Sequence, residues 1–435
     1  MTKSKTFTFD PRMFVSPPFI NCPKCGQQTF GILSIFKSHY TRRCKNCLYP
    51  KGSESPAYYY LPPLNKKIVY IDQFAISNMM KILNPRTKAF NKGIDAFWII
   101  LFDKIYLLSR MQLIICPNSE FHTDESLVSE YYPSLRRMYE LISHNISFWG
   151  EDKIKSSQLL DYAENWISDK KSQAPEINRL FAFTDDINQW LDKFIISVGS
   201  FNENWIDQIR KDRESIHLGF KEVFNVWQKE NNLKFEDWYK REVKMYGETM
   251  IQGYFRHLVS LKNQTGLNID QMFPPTSVIL FFSLHRYFED KISSKEEALK
   301  KTCEFLRSEE IDIIPFIRIY ALLAAGLARK AANGQINPPN RGMAKDLDIV
   351  SHLLPYCDAM FIDNGCASLI NENPIKDRIG FDTRIFSLNS KDKFLLYLSE
   401  IEDRASSEHI SKLNEVYGDS WKEPFHSIYQ EEQDI

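Results

Sequence analysis

The chain has 435 residues, 43% of them hydrophobic and 26% charged, with a formal net charge of −1. That is the composition of an ordinary globular protein long enough for two or three domains. No apolar run approaches the roughly 18–20 residues of a membrane span, and no apolar core follows Met1-Thr2-Lys3-Ser4-Lys5 to make a secretory signal. No membrane association is expected, and a cytoplasmic location is the default. The charge is unevenly spread: residues 1–67 carry 11 Lys and Arg against Asp10 and Glu54. A basic head on an acidic body suits contact with phosphates at one end.

The first readable motif is Cys22-Pro23-Lys24-Cys25-Gly26, followed by Cys44-Lys45-Asn46-Cys47. Two C-x-x-C hooks can place four thiolates around one tetrahedral Zn²⁺, which predicts a structural zinc ribbon over 1–50. The interval Phe30–Phe36 supplies a strand. Lys24, Lys37, His39, Arg42, Arg43, Lys45 and Lys51, with Phe36 and Tyr40 between them, are candidates to grip a phosphate backbone and stack bases; a docking module with a solvated basic face is the alternative. Cys116, Cys303, Cys357 and Cys366 lie among apolar neighbours and read as small buried hydrophobes. No disulfide is expected.

Residues 51–65 are rich in Pro, Ser and Tyr and read as an extended linker. The body opens with a buried strand ending Ile68-Val69-Tyr70-Ile71-Asp72. Helical spacings follow at 73–83 and 93–110, then a short strand at Leu113–Cys116. Residues 126–340 read as a helical insertion, with amphipathic runs at Leu127–Ser147, Ser156–Lys171, Ile187–Val198, Asn204–Asn225 and Lys295–Leu306. Trp149, Trp166, Trp190, Trp205, Trp227 and Trp238 fall here and read as core. A loop at 333–342 precedes a short helix at 344–354. After it come a strand ending at Asp363, a helix, a strand at Thr383–Leu388 and a helix at 391–404. Residues 411–435 read as a tail, polar and frayed beyond 420.

Four acidic stretches stand out along this path: Asp72 after the first strand, Glu120 after the second, Asp346-Leu347-Asp348 at a helix start, and Asp363 after a later strand. In open α/β sheets the reactive groups collect at the carboxyl ends of the strands. Each acid alone is more often a helix cap or a solvated turn residue. Gathered together, they repel one another and call for a hard divalent cation, Mg²⁺ or Mn²⁺. Asp346 and Asp348 are two apart on a helix and point in different directions, so one ion cannot readily take both. Asp358 reads as a structural cap, and His39, His122 and His352 as satisfied histidines without a catalytic partner.

This pattern resembles the PIN-domain nucleases. The stretch Asp346–Asp363, with its helical acids, its Pro355-Tyr356-Cys357-Asp358 turn and its strand into Asp363, carries most of the likeness, which covers about 66–125 and 343–405; the two parts of the domain are then 66–125 and 341–410. The resemblance implies an α/β fold: a PIN-like parallel sheet flanked by helices, interrupted by the helical insertion. It also implies metal-dependent hydrolysis of nucleic acid, most often RNA. Asp72 and Asp363 would be direct ligands and Glu120 and Asp348 would complete the set. Asp346 competes for the third position and Glu125 for that of Glu120, while Ser77 and Asn78 would help orient a phosphate. A catalytically inactive binding factor on the same scaffold and a DNA-directed flap-type nuclease are the alternatives.

Overall fold

The computed structural model describes residues 10–51, 58–90, 95–168, 175–192, 206–230, 232–263, 274–340 and 342–430. The expectations at Met1–Lys5, at 52–57, at 193–198, for Trp205 and for 431–435 lie outside the described residues. Two four-stranded sheets organise the molecule. The first is antiparallel in the order β1 (Ser16–Asn21), β2 (Gln28–Phe36), β3 (His39–Cys44), β4 (Tyr58–Tyr60), and it carries the four N-terminal cysteines. The second contains β5 (Lys67–Ile71), β6 (Ile114–Ile115), β7 (Ala359–Phe361) and β8 (Arg384–Phe386), ordered β6-β5-β7-β8 with every pair parallel. The predicted parallel sheet with helices is therefore present.

The run Ile68-Val69-Tyr70-Ile71 is buried throughout, as a strand covered on both faces must be. Successive side chains of a strand point to opposite faces. Ile68 and Tyr70 accordingly join Ile115 and Met360 in one core, while Val69 and Ile71 join Ile114, Ala359, Phe361 and Phe386 in another. The first core belongs to the helical region. Its centre is helix Pro315–Ala332, with 13 of 18 residues buried, against which helix Phe235–Lys262 packs. Gly247 of that second helix allows a close approach: a Cβ there would lie 2.1 Å from the Leu306 carbonyl oxygen.

The second core is made by helices Gln73–Leu83, Phe97–Arg110, Tyr132–Ser143, Lys391–Asp403 and Ser407–Tyr417. It also takes in Ile32, Ile35 and Tyr40 of the antiparallel sheet. Arg42 fixes that sheet in place. Buried, it donates to the carbonyls of Pro18 (2.9 Å), Phe30 (3.1 Å) and Glu415 (3.1 Å). The Tyr40 hydroxyl also bonds the Glu415 carboxylate.

Several expectations need correction. Tyr58–Tyr60 is a strand paired to β3, not linker; three β-favouring tyrosines alternate out, in and out. The run Leu127–Ser147 is divided between helices Glu120–Leu127 and Tyr132–Ser143, the second ended by left-handed His144 and Asn145. Ile187–Leu191, part of a predicted helix, is irregular, and Trp190 instead bridges to Lys37. The expected tail from 411 begins inside a core helix, with Leu413 and Val416 buried, and 421–430 is not frayed: Trp421, Ile428 and Tyr429 are core, and the Tyr429 hydroxyl donates to the Ser134 carbonyl at 2.7 Å. Of the tryptophans expected in the helical core, 190, 227 and 238 are buried, and 149 and 166 pack against the core. No helix of the described residues is long and apolar enough to cross a membrane.

Candidate functional site

The four cysteines converge. Their sulfurs all lie within 4.8 Å of one another, with Cys22–Cys47 and Cys25–Cys44 each at 3.7 Å. Disulfides need about 2.05 Å, whereas the edge of a tetrahedron with zinc–sulfur arms of about 2.3 Å is close to 3.8 Å. The local fold aims them. Gly26 takes a positive φ of 73° that closes the first knuckle, and the amides of Lys24 and Cys47 point at the sulfurs of Cys22 and Cys44, each at 3.4 Å. Burial opposes ionisation of Cys44, but the Thr29 hydroxyl and the Cys47 and Asn46 amides outweigh it and draw the thiol down to about 6. The Tyr49 amide favours the Cys47 thiolate, yet burial and the three other sulfurs push that thiol up to about 12. A cation removes this conflict, and the donor set suits zinc.

The second constellation lies at the carboxyl edge of the parallel sheet. Asp72 and Asp363 follow the adjacent strands β5 and β7, and the Asp72 amide donates to the Phe361 carbonyl at 3.0 Å. Each caps the next helix with one oxygen. Asp72 Oδ1 accepts from the Gln73 amide at 2.6 Å, and Asp363 Oδ1 accepts from Gly365 (2.6 Å) and Cys366 (3.2 Å). Capping uses one oxygen only. Asp363 Oδ2 is buried with no hydrogen-bond partner, a costly state for a carboxylate oxygen.

Helix Met343–Leu353 brings Asp346 to the same edge. Burial, then the charges of Asp363 and Asp72, push Asp346 up to about 9. Burial, then Glu125 and Asp363, push Asp72 up to about 7. Asp72, Asp346, Asp363 and Glu125 therefore form one electrostatic group. Beneath them the Cys366 thiol is raised well above its ordinary value by burial and by the three aspartates. The acids are more widely spaced than the cysteines: among the described residues, no three carboxylates each bring an oxygen within 4.8 Å of the others.

The structure does not bring Glu120 or Asp348 to this group. Glu120 turns to helix Glu151–Ile167, accepting the Glu151 amide at 2.6 Å at a helix N-terminus, where a carboxylate is stabilised. Burial, with Glu151, Asp124 and Asp152 around it, raises its pKa. Asp348 faces the opposite way from Asp346 and meets buried Lys155 at 3.1 Å. Lys155, missed in the sequence, also reaches Glu151 at 2.5 Å; the Glu151/Lys155 spacing of four was the available sign. Asp358 sits at the other end of the sheet as a cap, accepting from the Ile68 amide (2.8 Å), Arg179 (2.9 Å) and Lys67 (3.1 Å).

His122 and His352 are buried, and burial pushes each down to about 3. His122 is stacked between Tyr70 and Tyr139, ring centroids 5.0 and 4.9 Å away. Ser77 and Asn78 lie on the helix after Asp72, and the Asn78 side chain is occupied by the Phe74 carbonyl at 3.0 Å.

Comparison with protein-family models, with curated proteins and with solved structures finds no match to this chain.

Proposed function

We propose that this chain is a metal-dependent phosphodiesterase of PIN-like type that cleaves nucleic acid, RNA in preference. The observation that carries the reading is the collection of Asp72, Asp346 and Asp363 at one sheet edge, with two of them held well above the ordinary carboxylate range. Such repulsion is costly to a fold unless a ligand relieves it. The unpaired Oδ2 of Asp363 and an all-oxygen donor set fit Mg²⁺ or Mn²⁺. Asp72, Asp346 and Asp363 would hold the ion, with Glu125 behind them. Bound there, the metal supplies a water of lowered pKa and neutralises phosphate charge. The protein's own part is to fix Asp72 and Asp363 through the helix caps and to carry Asp346 on helix Met343–Leu353.

The test is cleavage of end-labelled single-stranded RNA and DNA across a Mg²⁺ and Mn²⁺ series. Asp72→Asn and Asp346→Asn should abolish cleavage, whereas Glu120→Gln should retain it. Full activity in Asp72→Asn would remove the site. The open spacing of the acids favours a second reading, a non-catalytic nucleic-acid- or protein-binding factor. Calorimetric titration of Mn²⁺ separates the two, because a scaffold without chemistry has no need of the ion.

A further inference from the structure

The antiparallel sheet has an inner and an outer face, and the outer face is aromatic. Ile35, Tyr40 and Tyr59 point inward, with Tyr40 and Tyr59 stacked at 4.9 Å. The alternate positions point outward. Phe36 pairs with His39 and His39 with Tyr60 across three neighbouring strands, and Tyr58 lies opposite Thr41 one step along. Phe36, Tyr58 and Tyr60 are 60%, 54% and 81% exposed. Their rings are close: His39 lies 5.7 Å from Phe36 and 5.0 Å from Tyr58. The Lys37 ammonium stands 5.9 Å above Phe36.

Three large aromatic side chains and an imidazole, clustered on an open sheet face, are not explained by folding. The core that seats this sheet is on the other side, through Tyr40 and Arg42. A contiguous exposed patch of this kind marks a binding surface. Its chemistry selects the partner. Flat rings spaced along neighbouring strands match unpaired bases, each of which has a face to stack, and the Lys37 ammonium beside Phe36 supplies a cation for the phosphates. A duplex buries its base faces and presents only phosphates and groove edges.

We propose that Phe36, His39, Tyr58 and Tyr60 form a stacking platform for single-stranded nucleic acid, with Lys37 contacting the backbone. The proposal rests on the reading above only for the fate of the bound strand, which is RNA presented for hydrolysis. It revises the expected contact set: Tyr40 and Arg42 face the body and are withdrawn from it.

The experiment measures fluorescence anisotropy of a labelled single-stranded oligouridylate on full-length Asp72→Asn protein, zinc present and no magnesium added. Phe36→Ala and Tyr60→Ala should each weaken binding about tenfold, and the Phe36/Tyr58/Tyr60 triple alanine variant about a hundredfold or more. Tyr60→Trp should bind as the parent does, whereas Tyr60→Leu should lose as much as Tyr60→Ala. Parent-like binding by the triple variant with its melting curve intact overturns the platform. Retention by Tyr60→Leu does so too, because it would show that the strand is held without a ring to stack on. Equal affinity for a blunt RNA duplex also counts against it. The two readings fail separately: a wild-type protein that binds the strand through these rings but cleaves nothing keeps the platform and removes the hydrolase.

Discussion

Asp348 lies 3.1 Å from the buried ammonium of Lys155, so one of the two acids in Asp346-Leu347-Asp348 is neutralised from within the protein. The other, Asp346, faces Asp363 and Asp72. The two acids therefore have opposite effects on stability. Asp348→Asn should destabilise by about 1–2 kcal/mol, the low side for a broken ion pair, because its side chain is 38% exposed and Glu151 still contacts the ammonium. Lys155→Ala should cost about 3 kcal/mol or more. Urea unfolding checks both, and neither change should alter Mn²⁺ binding.

The metal-free protein should lose stability as pH rises. An acid whose folded pKa is raised holds a proton that the unfolded chain has released. The penalty starts above the ordinary value of 3.8 and is complete above about 9, the region set by Asp72 at about 7 and Asp346 at about 9. Asp346→Asn should flatten this slope, and so should saturating Mn²⁺. Thermal melts at pH 5, 7 and 9, with and without the ion, test the claim; a metal-free slope identical in parent and variant would refute it.

Acid should destabilise the protein through a different set of groups. Burial pushes His122, His144 and His352 each down to about 3 from an ordinary 6.5. For a base with a depressed folded pKa, the unfolded chain protonates first as pH falls. Stability is therefore full above 6.5 and declines toward 3, on the order of 2 kcal/mol per histidine by pH 5. His144, whose Nε2 is 2.6 Å from the Ser109 hydroxyl and whose charged neighbours are Lys66 and Arg110, isolates the effect from the aspartates. His144→Gln should show a smaller shift in urea midpoint between pH 7 and pH 5 than its parent.

Removing zinc should be felt beyond the cysteine knuckles. Cys22, Cys44 and Phe30 form a small core of their own, but Ile32, Ile35 and Tyr40 of the same sheet belong to the larger one. Cys22→Ser should speed hydrogen exchange in β2 and β3 and also in helix Ser407–Tyr417, which receives Arg42. Exchange confined to residues 20–50 would show the sheet to be an independent module.

The strand-end aspartates were legible because a buried parallel strand reads as a continuous apolar run that stops at its first charge, as Ile68–Asp72 does. The choice between Asp346 and Asp348 was not. Both flank buried Leu347, and the sequence contains no mark of which flank turns to the sheet and which to Lys155, 193 residues away. Glu120 and Glu125 share one helix with almost no amphipathic bias, so its rotation was hidden as well. Tyr58–Tyr60 was read by its Pro- and Ser-rich neighbours, whereas its conformation is set by β3. The proposed nuclease chemistry rests on the edge that Asp72, Asp346 and Asp363 share.

The grip of Arg42 on the Glu415 carbonyl, 373 residues downstream, has a bearing on biogenesis. On the ribosome the cysteine module emerges and can take up its ion well before its docking partner, which is synthesised 373 residues later. Until then the underside of the module, with Ile35 and Tyr40, has Trp190 and Asp192 to pack on but lacks the cover of helix Ser407–Tyr417. Closure of so long a loop is slow and leaves sticky surface open to aggregation, so truncation before residue 407 should yield an insoluble product even though both sheets are encoded in full.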